Sequence, residues 1–147
     1  MSRNDELAAS GLTLDESVRM AKALAHPTRL RILAMLGDGA LCVCQLTAAL
    51  GLAASTVSAH LAELRNAGLL EEDKEGRWVH YRVAREGQGA RLARWWLRLY
   101  AEDRCIGEDA ELIARIRRHS KEELCDAGLD LVALGARGNK TCSEAGR

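Results

Sequence analysis

Two cysteines one residue apart, Cys42 and Cys44 in Leu41-Cys42-Val43-Cys44-Gln45-Leu46, carry the most specific chemistry in this 147-residue chain. They lie between a glycine-rich turn, Gly37-Asp38-Gly39, and a short helical pattern. Nothing in the packing of a small domain requires them there, and two soft sulfur donors in a reducing compartment trap a thiophilic ion. The residues that follow, from Leu46 through Gly51 and Ser55 to Leu61, read as helix, tight turn, helix, the module that enters a DNA groove. A trap for an ion thus stands directly before a reader of DNA.

The bulk composition bounds what can position these groups. One domain with a loose tail is expected from the length, and 48% hydrophobic residues suffice for a core. With 3% aromatics and no Phe, that core must be Leu, Ala and Val, which favours helix packed on helix and further burial in a dimer. Twenty-one basic residues balance twenty-one acidic ones, so any DNA contact must come from local distribution of charge. No apolar run is long enough to span a bilayer and Met1 to Glu6 has no signal-peptide core, so a cytoplasmic protein without membrane contact is expected. Five cysteines at irregular spacing argue against a secreted disulfide framework and for free thiols or ligands.

Residues 1–12 are expected to form a mobile arm. Thr13-Leu14-Asp15-Glu16 has the pattern of a capping box, and Leu14, Val18, Ala21 and Ala25 then share one helical stripe, widened by Met20 and Leu24. Pro27 ends that helix near Ala25 and starts a second one to Leu36, with Leu30, Leu33 and Leu36 inward. A third helix begins at or just after the cysteine pair and runs to Leu50, where Gly51 turns the chain. A fourth runs from about Ser55 to Asn66, with Val57, Leu61 and Leu64 inward and Ser55, Thr56, Ser58 and His60 free to approach bases and phosphates. The plain alternative is that these hydroxyls only cap the helix.

Leu69-Leu70 begins a strand, Glu71 to Gly76 reads as a charged turn, and Trp78 to Val83 alternates as a second strand, giving a hairpin with Lys74 and Arg77 near its tip. Such a wing rests on the sugar-phosphate backbone, although Glu71, Glu72, Asp73 and Glu75 keep a merely solvated turn in play. Gly87 and Gly89 mark a break, and a helix is predicted from Ala90 to about Arg104 with Leu92, Trp95, Trp96 and Leu99 apolar. Two adjacent indoles cannot both face one small core, so this helix is the candidate dimer interface. Glu108 to Arg118 reads as a further helix, and Ser120-Lys121-Glu122-Glu123 as a capping box before a short one ending at Gly128. Residues 135–147 are expected to be disordered.

The cysteine motif, the stretch Ser55 to Leu70 and the stretch Glu75 to Val83 together resemble the ArsR/SmtB family of winged-helix repressors, and more narrowly its arsenic-sensing members. The likeness spans roughly residues 13–105, with three motifs in order. It implies a mainly α fold with a small β-hairpin: a winged helix-turn-helix, dimeric through terminal helices. Beyond it, the helical patterns after Glu108 are expected to form an extension over residues 106–134. It also implies a homodimer that holds operator double-stranded DNA and is released when As(III), or Sb(III), binds thiolates. Cys42 and Cys44 match the family's metalloid pair, Ser55, Thr56, Ser58 and His60 its recognition helix, and Lys74 and Arg77 its wing. Some arsenic sensors carry a third cysteine where this chain has Thr47. Trivalent arsenic favours three soft donors, so the third place is open to another thiolate or to a small molecule such as glutathione; Cys105 is the first candidate among the remaining thiols, while Cys125 and Cys142 read as incidental. Ala59 stands where many relatives are basic.

Three rivals share these residues. A redox or persulfide switch would use Cys42 or Cys44 with Cys105 as a reversible dithiol. Zinc sensing lacks four evident ligands. An enzyme such as a thiol arsenate reductase is disfavoured, because no Cys opens a Cys-x5-Arg loop and no glycine-rich phosphate loop is present.

Overall fold

Helix formation begins at the predicted capping box. Glu16 N–H donates to Thr13 Oγ1 while Thr13 N–H donates to the Glu16 carboxylate at 2.8 Å, opening α1 (Leu14–Leu24). Pro27 holds His26 extended at φ −152°, and the His26 ring Nδ1 accepts the Thr28 N–H to cap α2 (Pro27–Met35). The computed structural model describes residues 11–126. After a 3-10 turn over Leu36–Asp38 come β1 (Leu41–Cys42), α3 (Val43–Leu50), α4 (Ala54–Asn66), β2 (Leu70–Glu75), β3 (Trp78–Val83), α5 (Gly87–Leu99), α6 (Arg104–Ile116) and α7 (Lys121–Asp126). The arm expected over residues 1–12 falls mostly outside the described residues, as do the end of the last helix at Gly128 and the tail over residues 135–147.

The fold is a winged helix-turn-helix. Gly51 takes a left-handed φ of 63° at the end of α3, the turn that sends the chain into α4. Ile32, Leu33, Leu46, Leu50, Leu61 and Leu64 are all at most 1% exposed and form the centre of the core. Leu112, Ile113 and Ile116 of α6 join the same cluster, and Arg31 on α2 holds Asp109 on α6 through two 2.8 Å hydrogen bonds.

Four features differ from the sequence reading. Of the apolar stripe on α1, Leu14, Val18, Ala21 and Ala25 face solvent, while Met20 and Leu24, which widen it, are buried together with Ala23. The charged segment predicted as a turn is strand: β2 continues to Glu75, which pairs with Trp78 across the two-residue loop Gly76-Arg77, with Gly76 at φ 61°. Cross-strand charge pairing permits this, because Arg82 on β3 meets both Glu71 and Asp73 on β2. The helix predicted over residues 90–104 runs from Gly87 to Leu99; Asp103 then accepts the Ile106 N–H and starts α6. Gly89 therefore lies in the first turn of α5, where a Cβ would collide with the backbone carbonyl of Gly68. Finally, β1 has no counterpart in the sequence pattern; it pairs with β3 through Leu41 with Tyr81 and Cys42 with His80, giving the sheet order β1-β3-β2.

Candidate DNA interface and sensor cysteines

Cys42 and Cys44 straddle a change of backbone conformation. Cys42 is extended, with φ −86° and ψ 165°, and occupies the N-cap of α3 while Gln45 Oε1 accepts its N–H at 2.9 Å. Cys44 lies inside the first turn. On a continuous helix residues i and i+2 diverge by about 200°, so a shared ion would require the first turn to unwind. Here the bend already lies between the two residues. Cys42 is 1% exposed and free, whereas Cys44 is half-buried and disulfide-bonded to Cys125 of α7, with the two Cα atoms 5.8 Å apart. Cys125, which reads as incidental in the sequence, is thus bonded to Cys44.

Each cysteine is attached to a different element of the winged helix-turn-helix. Cys42 sits on β1, which is hydrogen-bonded to the wing strand β3. Cys44 sits on α3, which packs against α4. Cys105 lies in the first turn of α6 and takes part in a separate disulfide. Among the described residues no three His, Cys, Asp or Glu side chains form a group that holds a metal ion, and two of the thiols in question are spent on each other.

On α4, Ser55, Thr56 and Ser58 are exposed, and the N-cap is Ala53 with no side-chain hydrogen bond. The N-cap role is therefore not theirs, and the helix N-terminus is open to an anion. His60 is only half-buried and turns its ring toward His26, with the centroids 4.5 Å apart.

Lys74 and Arg77 are exposed at the wing, and the Arg77 guanidinium lies 4.7 Å over the Trp78 ring. The acidic neighbours are engaged elsewhere. Glu71 is held below the usual carboxylate range first by the Arg85 N–H and then by the Arg82 side chain, and Glu72 by Arg65 at 2.6 Å. Glu75 lies 3.8 Å from both Lys121 and His80.

On α5, Trp96 stacks on Tyr100 and packs with Leu92 against the core, whereas Trp95 and Leu99 are 40% and 56% exposed. Leu14 and Val18 on α1 add further exposed apolar surface.

Residues 26–72, from the cap of α2 into the wing, match the profile described as bacterial regulatory protein, arsR family. The chain is 39% identical over 100 residues to the arsenical resistance operon repressor of Escherichia coli K12, covering 67% of this chain and 81% of that one. The chain belongs to the ArsR family. It is an ArsR-family transcriptional repressor with a DNA-binding winged helix-turn-helix. Among solved structures it is similar to a homodimeric winged helix-turn-helix DNA-binding domain from Mycobacterium bovis, a possible ArsR-family regulator, at 35% identity and TM-score 0.54, covering 71% of this chain and 90% of that one. It is also similar to reduced HlyU from Vibrio cholerae, at 36% identity and TM-score 0.53, covering 60% and 92%. Among the described residues no helix is long and apolar enough to cross a membrane.

Within this ArsR-family frame, His60 makes the recognition helix sensitive to acid. Burial first, then the charges of His26 and Arg29, lower its pKa below the ordinary 6.5, with Glu63 opposing. Below pH 6.5 the unfolded chain therefore binds more protons than the folded one, and stability falls as pH drops toward the folded value. His60→Gln is expected to flatten the decline of Tm between about pH 7 and pH 5; an unchanged decline would place its origin elsewhere.

Proposed function

We propose that this repressor responds to a trivalent metalloid, As(III) or the similar Sb(III), through Cys42 and Cys44, and binds operator double-stranded DNA as a homodimer. The observation that carries the reading is the attachment of the two thiols to two different elements, β1 beside the wing strand and α3 behind the recognition helix. A small ion bonded to both draws β1 and the start of α3 toward one point. A ligand shifts an equilibrium only by its differential affinity, so the loaded geometry must fit DNA less well than the free one. The 39% identity to an arsenical resistance operon repressor supports the choice of ion. Ser55, Thr56, Ser58 and His60 on α4 and Lys74 and Arg77 on the wing are the proposed DNA contacts, and Trp95 and Leu99 the proposed dimer surface, backed by Leu92 and Trp96, which pack against the protomer's own core.

Operator-fragment binding followed by fluorescence anisotropy under reducing conditions tests this. Arsenite is expected to weaken binding by the parent roughly 5- to 150-fold, as a coupling of about 1 to 3 kcal/mol allows, and to leave the Cys42→Ser/Cys44→Ser variant on its DNA. Parent binding that ignores arsenite overturns the reading. The Cys44–Cys125 disulfide favours one second reading, a repressor that responds to thiol oxidation. That protein would leave DNA on treatment with peroxide and without metalloid.

A further inference from the structure

A trivalent metalloid bonded to Cys42 and Cys44 has one valence left. We propose that Cys125, carried on α7, is the thiolate that fills it, an assignment that rests on the metalloid reading. Its sulfur already reaches Cys44, since the two are bonded. The approach is held by more than that bond. Ser120 Oγ accepts the Glu123 N–H while Glu123 accepts the Ser120 N–H, capping α7. Leu124 is buried in the core and Lys121 lies 3.8 Å from Glu75 at the wing. The segment bearing Cys125 is thus built onto α3 and the wing together.

Cys105 is the weaker choice on distance. Arg117, just past the C-terminal end of α6, donates to the carbonyl of Gly39, two residues before β1, so it is that end of α6 that lies toward the cysteine pair. Cys105 lies in the opposite turn, about 16 Å away along the axis at 1.5 Å per residue. Position 47 points the same way. Thr47 is three residues beyond Cys44 on the same face of α3, and its buried Oγ1 has no hydrogen-bond partner. A thiol is absent there, and α7 brings one from outside.

The chemistry balances without change of oxidation state at arsenic. A dithiol reductant first exchanges with the Cys44–Cys125 disulfide, leaving two protein thiols and one oxidised dithiol. Arsenous acid then exchanges its three hydroxyls for three thiolates: three As–S bonds form, three As–O bonds break, and three waters leave with the thiol protons. The oxidised protein has lost two of those donors.

The test reduces the full chain with a phosphine, removes it anaerobically, and titrates arsenite against remaining thiols, with the sulfur count at arsenic read from X-ray absorption. The parent is expected to lose three thiols per arsenic, and Cys125→Ser two, with weaker arsenite binding. Cys105→Ser is expected to match the parent. Thr47→Cys added to Cys125→Ser is expected to restore the third sulfur, which separates a missing donor from a damaged fold. Three sulfurs in Cys125→Ser, or a loss in Cys105→Ser instead, overturns the assignment while leaving the metalloid reading intact. No arsenite binding by the reduced parent overturns both.

Discussion

Asp109→Ala is expected to cost the fold about 3–5 kcal/mol, because it leaves the Arg31 guanidinium charged and largely buried without its partner. The Arg31 and Asp109 side chains are 17% and 6% exposed, and the pair is bidentate, so solvent does little to compensate either group alone. Urea unfolding followed by circular dichroism reads the loss as a lower midpoint with little change in slope. The double replacement Arg31→Met/Asp109→Leu removes both charges together and should recover most of the deficit. A cost below about 1 kcal/mol for Asp109→Ala would mean that the pair behaves as an exposed one. The consequence reaches the sensor, since the same α6 that Asp109 pins to α2 carries Arg117 to the Gly39 carbonyl and leads into α7.

The elements legible in the sequence are those specified by neighbours in the chain. Thr13 and Glu16 announced α1 three residues apart, Pro27 set the boundary of α2, and Gly51 marked the turn into α4, because caps and turns are local chemistry. What stayed hidden depends on partners far away. β1 has two residues, too few to display alternation, and exists only because Leu41 and Cys42 meet Tyr81 and His80. The charged run from Glu71 to Glu75 looked like a turn until Arg82 and Arg65 were placed opposite its carboxylates. Asp103 is a local cap, its side chain accepting the Ile106 N–H, and it ends the interval after α5 that apolar periodicity alone extends to Arg104. Part of the stripe on α1 faces solvent, because periodicity reports that a face is apolar and not what covers it.

The candidate site divides along the same line. The cysteine motif, the hydroxyls of α4 and the basic residues of the wing could be named from local pattern. Cys125 could not, since its approach to Cys44 closes across 81 residues of sequence and depends on where α6 and α7 pack.

The other large effect is expected from Trp95→Glu/Leu99→Glu on α5. These side chains are 40% and 56% exposed on a helix whose inner face, through Ala90 and Ala93, is fully buried, so the substitutions should leave the protomer's own core intact. Far-ultraviolet circular dichroism is expected to be unchanged. In a twofold dimer the same patch is presented by both copies, and each new carboxylate would meet apolar surface or its own mate. Exposed Leu14 and Val18 on α1 would lose their cover in the same event if the two helices share that interface. Sedimentation equilibrium should therefore return a monomer, against the dimer expected of the parent. Binding to a two-half-site operator should weaken on the order of 100-fold or more, since the second half-site is no longer engaged intramolecularly, while the weaker attraction for a single half-site persists through α4 and the wing. A variant that remains dimeric would move the interface off α5, and with it the reason for an exposed indole at position 95.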